Sequence, residues 1–146
     1  MLFDSNVWVA LAFSSHPHHS RAQEVFASAT PENPACFCRA TQQSFLRLST
    51  TPVLLRTYGA EGFTNRDALH LLRTLSRLPT VHFLPEPPDL DALWLKLAAL
   101  PSASPKVWMD AYLAAFAIRH QTEFVTLDRD FSSFEKDHLQ LKILAE

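Results

Sequence analysis

The 146-residue sequence predicts an α/β fold in which a parallel sheet is covered by helices on both faces. Three observations carry the prediction. Short apolar runs ("LF", "ACFC", "VHFL", "FVTL", "LQLKIL") alternate along the chain with longer runs of helical periodicity. The helical runs are bounded by prolines, serines and threonines, residues that start or stop helices. No repeat, low-complexity tract or long linker divides the chain, so one domain, 1–146, is expected.

Taken in order, "MLFD" is a strand and "NVWVALAF" a helix, broken by "HPHHS". "SRAQEVFASAT" places Ala22, Val25, Phe26 and Ala29 at helical spacing. "ACFC" is the next strand, followed by the helix "RATQQSFLRLST", which ends before Pro52. "TNRDALHLLRTLSRL" has Thr64 as its N-cap and a stripe of Leu71, Leu72, Leu75 and Leu78. "VHFL" is a strand, and "DLDALWLKLAAL" a helix stopped by Pro101. "SPKVWMDAYLAAFAIRH" starts as a helix at Ser104 and Pro105, because serine accepts from an orphan N–H and proline has none to lose. "EFVTL" and "LQLKIL" are the remaining strands.

Composition excludes several classes. The chain is 47% hydrophobic and 19% charged, which is ordinary globular composition. Its longest apolar run, 111–118, is too short to span a bilayer, and no export signal stands at "MLFDSN", so a soluble, cytoplasmic protein without a membrane partner is expected. Two cysteines, Cys36 and Cys38, make no disulfide framework; one residue apart on a strand, they share a face and serve as small apolar filler. With glycine only at 59 and 62, neither a dinucleotide fingerprint nor a phosphate-binding P-loop can be built. There is no G-x-S-x-G elbow and no H-E-x-x-H. His16, His18 and His19 are assigned to a polar turn in preference to a metal site. Net charge is −2, but residues 39–77 hold six arginines against Glu61 and Asp67, which is either a nucleic-acid face or solvated helix surface.

What remains is a set of carboxylates. In open parallel sheets function gathers beyond the carboxyl ends of the strands. Asp4 follows "LF", Asp128 follows "FVTL", and Asp130 lies two residues further on. Asp110 stands inside an apolar helix, on one face with Leu113, Ala114 and Ala117. A buried carboxylate must be neutralised, exposed at an edge or set against a cation. Several acids at one rim suit Mg²⁺ or Mn²⁺, which take a few carboxylate oxygens and leave positions for water and phosphate. Each acid also has a local alternative: Asp4 as a helix cap, Asp128 as a turn initiator, and Asp110 as an i,i+4 partner of Lys106.

"LFDSNVWVAL", "VWMDAYLAAFA" and "EFVTLDRDF", in this order, closely resemble the PIN-domain ribonucleases of VapC type, toxins of bacterial toxin–antitoxin pairs. The resemblance covers nearly the whole chain and implies a three-layer α/β/α sandwich with a mostly parallel central sheet. It implies an endoribonuclease in which a metal-activated water attacks RNA, often tRNA or rRNA. The cofactor would be Mg²⁺ or Mn²⁺ and the partner a cognate VapB-like antitoxin; a homodimer is also implied. Carried over residue by residue, the catalytic acids are Asp4, Asp110 and Asp128, with Asp4 and Asp110 on the metal. Asn6 and Asp130 are supporting residues. The family's usual Glu in "T-E-x-x-F-x-R" is Gln42 here, within "TQQSFLR". An amide brings no charge and is no base at neutral pH. The alternative is therefore a catalytically weak PIN-like module that binds RNA or protein. Arg39, Arg47 and Arg129 are candidates for steering the RNA backbone.

Overall fold

Strands and helices alternate as expected in the computed structural model, which describes residues 1–144. In chain order the elements are β1 (Leu2–Phe3), α1 (Ser5–Ala12), α2 (His19–Ala27), β2 (Ala35–Phe37), α3 (Arg39–Ser49), α4 (Pro52–Thr57) and α5 (Asn65–Ser76). There follow β3 (Val81–Phe83), α6 (Leu90–Ala98), α7 (Val107–Arg119), β4 (Phe124–Thr126), a 3-10 helix (Arg129–Asp137) and β5 (Leu141–Ile143). The sheet has the order β3-β2-β1-β4-β5 and every pairing is parallel. Helices pack on both faces, which makes the three-layer α/β/α sandwich.

The strands carry alternate side chains to two cores, as a pleat requires. Phe3, Ala35, Phe37, Val81 and Val125 face the core shared with α1, α2, α3 and α5. Leu2, Cys36, Cys38 and Phe124 face the opposite core, against α6, α7 and the 3-10 helix. Central strands β1, β2 and β4 are buried on both faces, whereas the edge strands β3 and β5 are partly exposed. Cys36 and Cys38 are both buried free thiols on one side of the sheet.

Trp8 on α1 is the largest fully buried side chain. It stacks on Phe37 with ring centroids 3.8 Å apart and meets Phe3 at 5.1 Å and Phe26 at 6.1 Å. Its indole N–H has no acceptor among the described residues.

Several boundaries differ from the sequence expectation. α7 begins at Val107, not at Ser104. Val107 N–H bonds back to the Ser104 carbonyl in a tight turn, and the helical ladder opens only with Asp110 N–H donating to the Lys106 carbonyl at 3.3 Å. Asp110 consequently lies in the first turn, where the exposed amide ends of the helix favour an anion. Pro52 does not merely end α3: it is the first residue of α4, where its missing N–H costs nothing. α4 turns off through Gly59 at φ 65°, a left-handed conformation, with Ala60 N–H on the Leu55 carbonyl. The segment after Asp128 winds into a 3-10 helix that the sequence did not announce. Thr64 caps α5 as expected, in a reciprocal box with Asp67. Of the expected stripe, Leu72 is buried, Leu71 and Leu75 pack partly against the core, and Leu78, beyond the end of the helix, is exposed. Among the described residues no helix is long and apolar enough to cross a membrane.

Candidate functional site

β1 is the topological switch point of the sheet: chain connections leave it towards β2 on one side, and β4 is entered on the other. β1 and β4 are parallel neighbours in register, Phe3 opposite Val125, so their carboxyl ends share one rim. Asp4 leaves the first of these strands and Asp128 the second. α7 starts over the same rim. Its buried Ala114 and Ala117 allow a close approach to the sheet, and Asp110 projects from the first turn.

Asp4 occupies the N-cap position of α1, yet its side chain accepts no capping bond from the helix. Its carboxylate turns aside. Oδ2 accepts from the Thr126 hydroxyl at 2.7 Å and the Asn6 amide at 3.0 Å, and Oδ1 from the Ser5 hydroxyl at 3.3 Å. All three partners are neutral. Burial raises the Asp4 pKa above 3.8, with bonds from the Thr126 hydroxyl and from the N–H and hydroxyl of Ser5 opposing and the charge of Asp128 adding to the rise. Asp110 is raised too, first by burial and then by Asp128 and Asp4, against the pull of Lys106. The mutual influence of Asp4, Asp110 and Asp128 shows that the fold gathers these three acids within electrostatic reach.

Asp128 is built differently. Its Oδ1 accepts from Asp130 N–H at 2.9 Å and so caps the 3-10 helix, the local role its sequence position allows. Its Oδ2 accepts from the Lys106 ammonium. Burial pushes its pKa up, but the lysine and the Asp130 amide outweigh that and leave it below 3.8. Lys106 also donates to Asp130 Oδ2 at 2.9 Å and lies 3.6 Å from Asp110 Oδ2. The ammonium pKa is raised in turn, chiefly by the bonds to Asp128 and Asp130.

Asn6 and Thr126 bind the site to the sheet. Asn6 Nδ2 donates to Asp4 and, at 3.2 Å, to Thr126 Oγ1, while Asn6 Oδ1 accepts from Leu127 N–H at 3.1 Å. Thr126 is fully buried, and its Oγ1 also accepts from Asp128 N–H at 3.0 Å. Sequence reasoning missed Thr126. The available signal was its place at the end of β4, two residues before Asp128 and hence on the same side of the chain. For Lys106 the sequence offered only the local alternative of an i,i+4 pair with Asp110; its contacts across 22 and 24 residues have no local signature. Asn6→Ala removes two donors and an acceptor from this buried network. It is expected to cost about 1–3 kcal/mol of stability, read from urea unfolding; an unchanged midpoint would contradict the coupling.

Of the other expected residues, Gln42 bonds within its own helix and the arginines stand at the surface. Gln42 on α3 has its Oε1 engaged by the Arg39 guanidinium at 2.6 Å, within its own helix. Arg39 also sits 5.0 Å over the ring of Phe83. Arg39, Arg47 and Arg129 are exposed, as are the other four arginines between 56 and 77. A groove of about 440 Å³ opens between α3, α6 and the start of α7, lined by residues that include Arg39, Gln43, Trp94, Trp108, Met109 and Tyr112. His16, His18 and His19 knit the turn before α2: His18 N–H donates to His16 Nδ1 at 3.1 Å, and His19 Nδ1 meets the Ala10 carbonyl at 2.8 Å.

Among the described residues, no group of three or more His, Cys, Asp or Glu side chains is placed to hold a metal ion. The donor set nevertheless fits a hard divalent ion. Such an ion keeps several waters and needs only one or two carboxylates. Asp4 and Asp110 are two oxygen donors whose ionised forms the fold disfavours unless positive charge arrives. A lysine ammonium is already drawn into the adjoining acids.

Residues 1–137 match the PIN domain. Over its full length the chain is 41% identical to Ribonuclease VapC41 of Mycobacterium tuberculosis, of which it covers 99%. In fold it is similar to the M. tuberculosis VapC20 structure, described as a sarcin–ricin loop cleaving toxin. The TM-score is 0.61 at 20% identity, covering 90% of this chain and 92% of that one. The VapBC-1 structure from nontypeable Haemophilus influenzae gives 0.63 at 14% identity, covering 98% and 96%.

Proposed function

Since the chain belongs to the PIN-domain family, in its VapC branch, we propose that it is a Mg²⁺- or Mn²⁺-dependent endoribonuclease and the toxin of a VapBC-type pair. The observation that carries the reading is the pair Asp4 and Asp110, two carboxylates from distant segments raised by burial and by neighbouring acids at the switch point of the sheet. Asp4 and Asp110 would hold the ion. A bound divalent ion supplies an activated water and neutralises charge building on the scissile phosphodiester. The residues around it have roles that follow from their contacts. Thr126 and Asn6 fix the Asp4 carboxylate by donating to Oδ2, while Oδ1 accepts from the Ser5 hydroxyl. Asp128, anchored by Lys106 and by the 3-10 helix, completes the acid cluster with Asp130 at its outer edge.

The substrate is RNA of the structured tRNA or rRNA kind, in keeping with the loop-cleaving relative of the same fold. Exposed Arg39, Arg47 and Arg129 are suited to its phosphates. A VapB-like antitoxin is the protein partner, as in the VapBC-1 complex, and a homodimer is the assembly. Two measurements test the reading. Wild-type protein should cut total cellular RNA in Mg²⁺ and stop when the metal is chelated, and co-expression of its antitoxin should restore growth. Cleavage that survives chelation would overturn the metal dependence.

A second reading, a weakly catalytic RNA- or protein-binding module, is favoured by one observation: the position of the usual Glu holds Gln42, whose amide oxygen is taken by Arg39. On that reading wild type binds RNA without metal-dependent cuts and Gln42→Glu gains them. Efficient cutting by wild type would dismiss it.

A further inference from the structure

The acid cluster contains a cation of its own. Lys106, just ahead of α7, sends its ammonium to Asp128 Oδ2, to Asp130 Oδ2 at 2.9 Å and to within 3.6 Å of Asp110 Oδ2. An ammonium has three donors, and here three carboxylates from two segments surround it. The opposite side of the cluster is different: among the described residues the hydrogen-bond partners of the Asp4 carboxylate are the neutral Ser5, Asn6 and Thr126. Lys106 thus meets three of the cluster's four acids. The lysine bonds directly to Asp128 and Asp130 and stands further off, at 3.6 Å, from Asp110.

We propose that Lys106 is a tethered cation that fills the second ion position of this site, so that the chain takes up one divalent ion, between Asp4 and Asp110, and holds Asp128 through the lysine. The inference rests on the reading of Asp4 and Asp110 as the metal-holding pair. An ammonium balances charge as an ion would, but it has no coordination position for water. Lys106 is thus a positioning residue: it orients Asp128 and fixes ion number without contacting the reacting groups. The chain delivers it four residues before Asp110, so it is present at any metal concentration.

Mn²⁺ titration of the metal-free protein by calorimetry, with thermal melting alongside, tests this on wild type, Lys106→Met and Lys106→Arg. The Lys106 side chain is half exposed, so both variants are expected to fold; Lys106→Gln stands in if the methionine variant does not. Wild type and Lys106→Arg should bind one ion. Lys106→Met should bind two, the first about tenfold more tightly because a like charge has been removed from beside it. It should also melt below wild type in chelator and gain more than wild type from Mn²⁺. One ion at unchanged affinity in Lys106→Met would reduce Lys106 to an ordinary surface pair and overturn the inference alone. Two ions in wild type would do the same. No Mn²⁺ uptake by wild type would overturn the Asp4–Asp110 reading beneath it, and the inference with it.

Discussion

Asp110→Asn is expected to fold like the wild type and to lose RNA cleavage by more than about a hundredfold, since even groups that merely support a metal ligand are worth about 10–100-fold. The substitution conserves shape and removes only charge. Its stability should behave in a way that a simple structural role for Asp110 does not predict. Burial and the neighbouring acids raise the Asp110 pKa above 3.8 in the folded state, so the folded chain binds the proton more tightly than the unfolded one. Ionisation of Asp110 therefore weakens the metal-free fold as pH climbs from 3.8 through the folded pKa, and the penalty persists above it. Asparagine carries no such penalty. Without metal, Asp110→Asn should melt no lower than wild type at neutral pH, and any advantage should vanish as pH falls below 3.8. With saturating Mn²⁺ the order should reverse, because only wild type gains binding energy. A folded Asp110→Asn protein with full nuclease activity would refute the assignment.

Trp8→Ala should be the most damaging single change to the fold. Trp8 is fully buried, stacked on Phe37 of β2 and in contact with Phe3 of β1, so it joins α1 to two central strands. Truncation of a buried Trp costs about 3–5 kcal/mol, against a total of about 5–15 kcal/mol for a native domain. Trp8→Phe should cost less than half as much. It keeps an aromatic surface against Phe37 and deletes the indole N–H that is buried without an acceptor. Urea denaturation of the two variants checks both values. A Trp8→Ala loss below about 1 kcal/mol would mean that α1 is not anchored through this ring.

The architecture was legible because the apolar runs are short and the helical stripes strong. "LF", "ACF" and "FVT" are buried on both faces, so they carry no polar alternation and stand out from their flanks. The rim of acids was legible for a related reason, since a strand that ends in Asp places it at the carboxyl edge. Less visible was what depends on distant partners. Lys106 meets Asp128 and Asp130 only because α7 and β4 are brought together by the fold. Thr126 resembles any β-branched strand residue until Asp4 is placed 2.7 Å from its hydroxyl. The start of α7 was misplaced because Ser104 and Pro105 have the chemistry of a cap, while the backbone uses them in a preceding turn. Asp128 shows that local and collective readings need not compete: one oxygen caps the 3-10 helix while the other accepts from the lysine.

The bonds that orient Asp4 are also bonds that join the β1–α1 junction to the end of β4, because Asn6 at the start of α1 reaches both Thr126 and the Leu127 amide. A genetic selection for survivors of toxin expression would accordingly return two kinds of lesion from residues of one site. Changes at Asp110 would leave soluble, inert protein, whereas changes at Asn6 or Thr126 would lower the amount of folded toxin in the cell. Immunoblots of the soluble fraction would sort them, and harmlessness at the second pair of codons would report on abundance before it reported on chemistry.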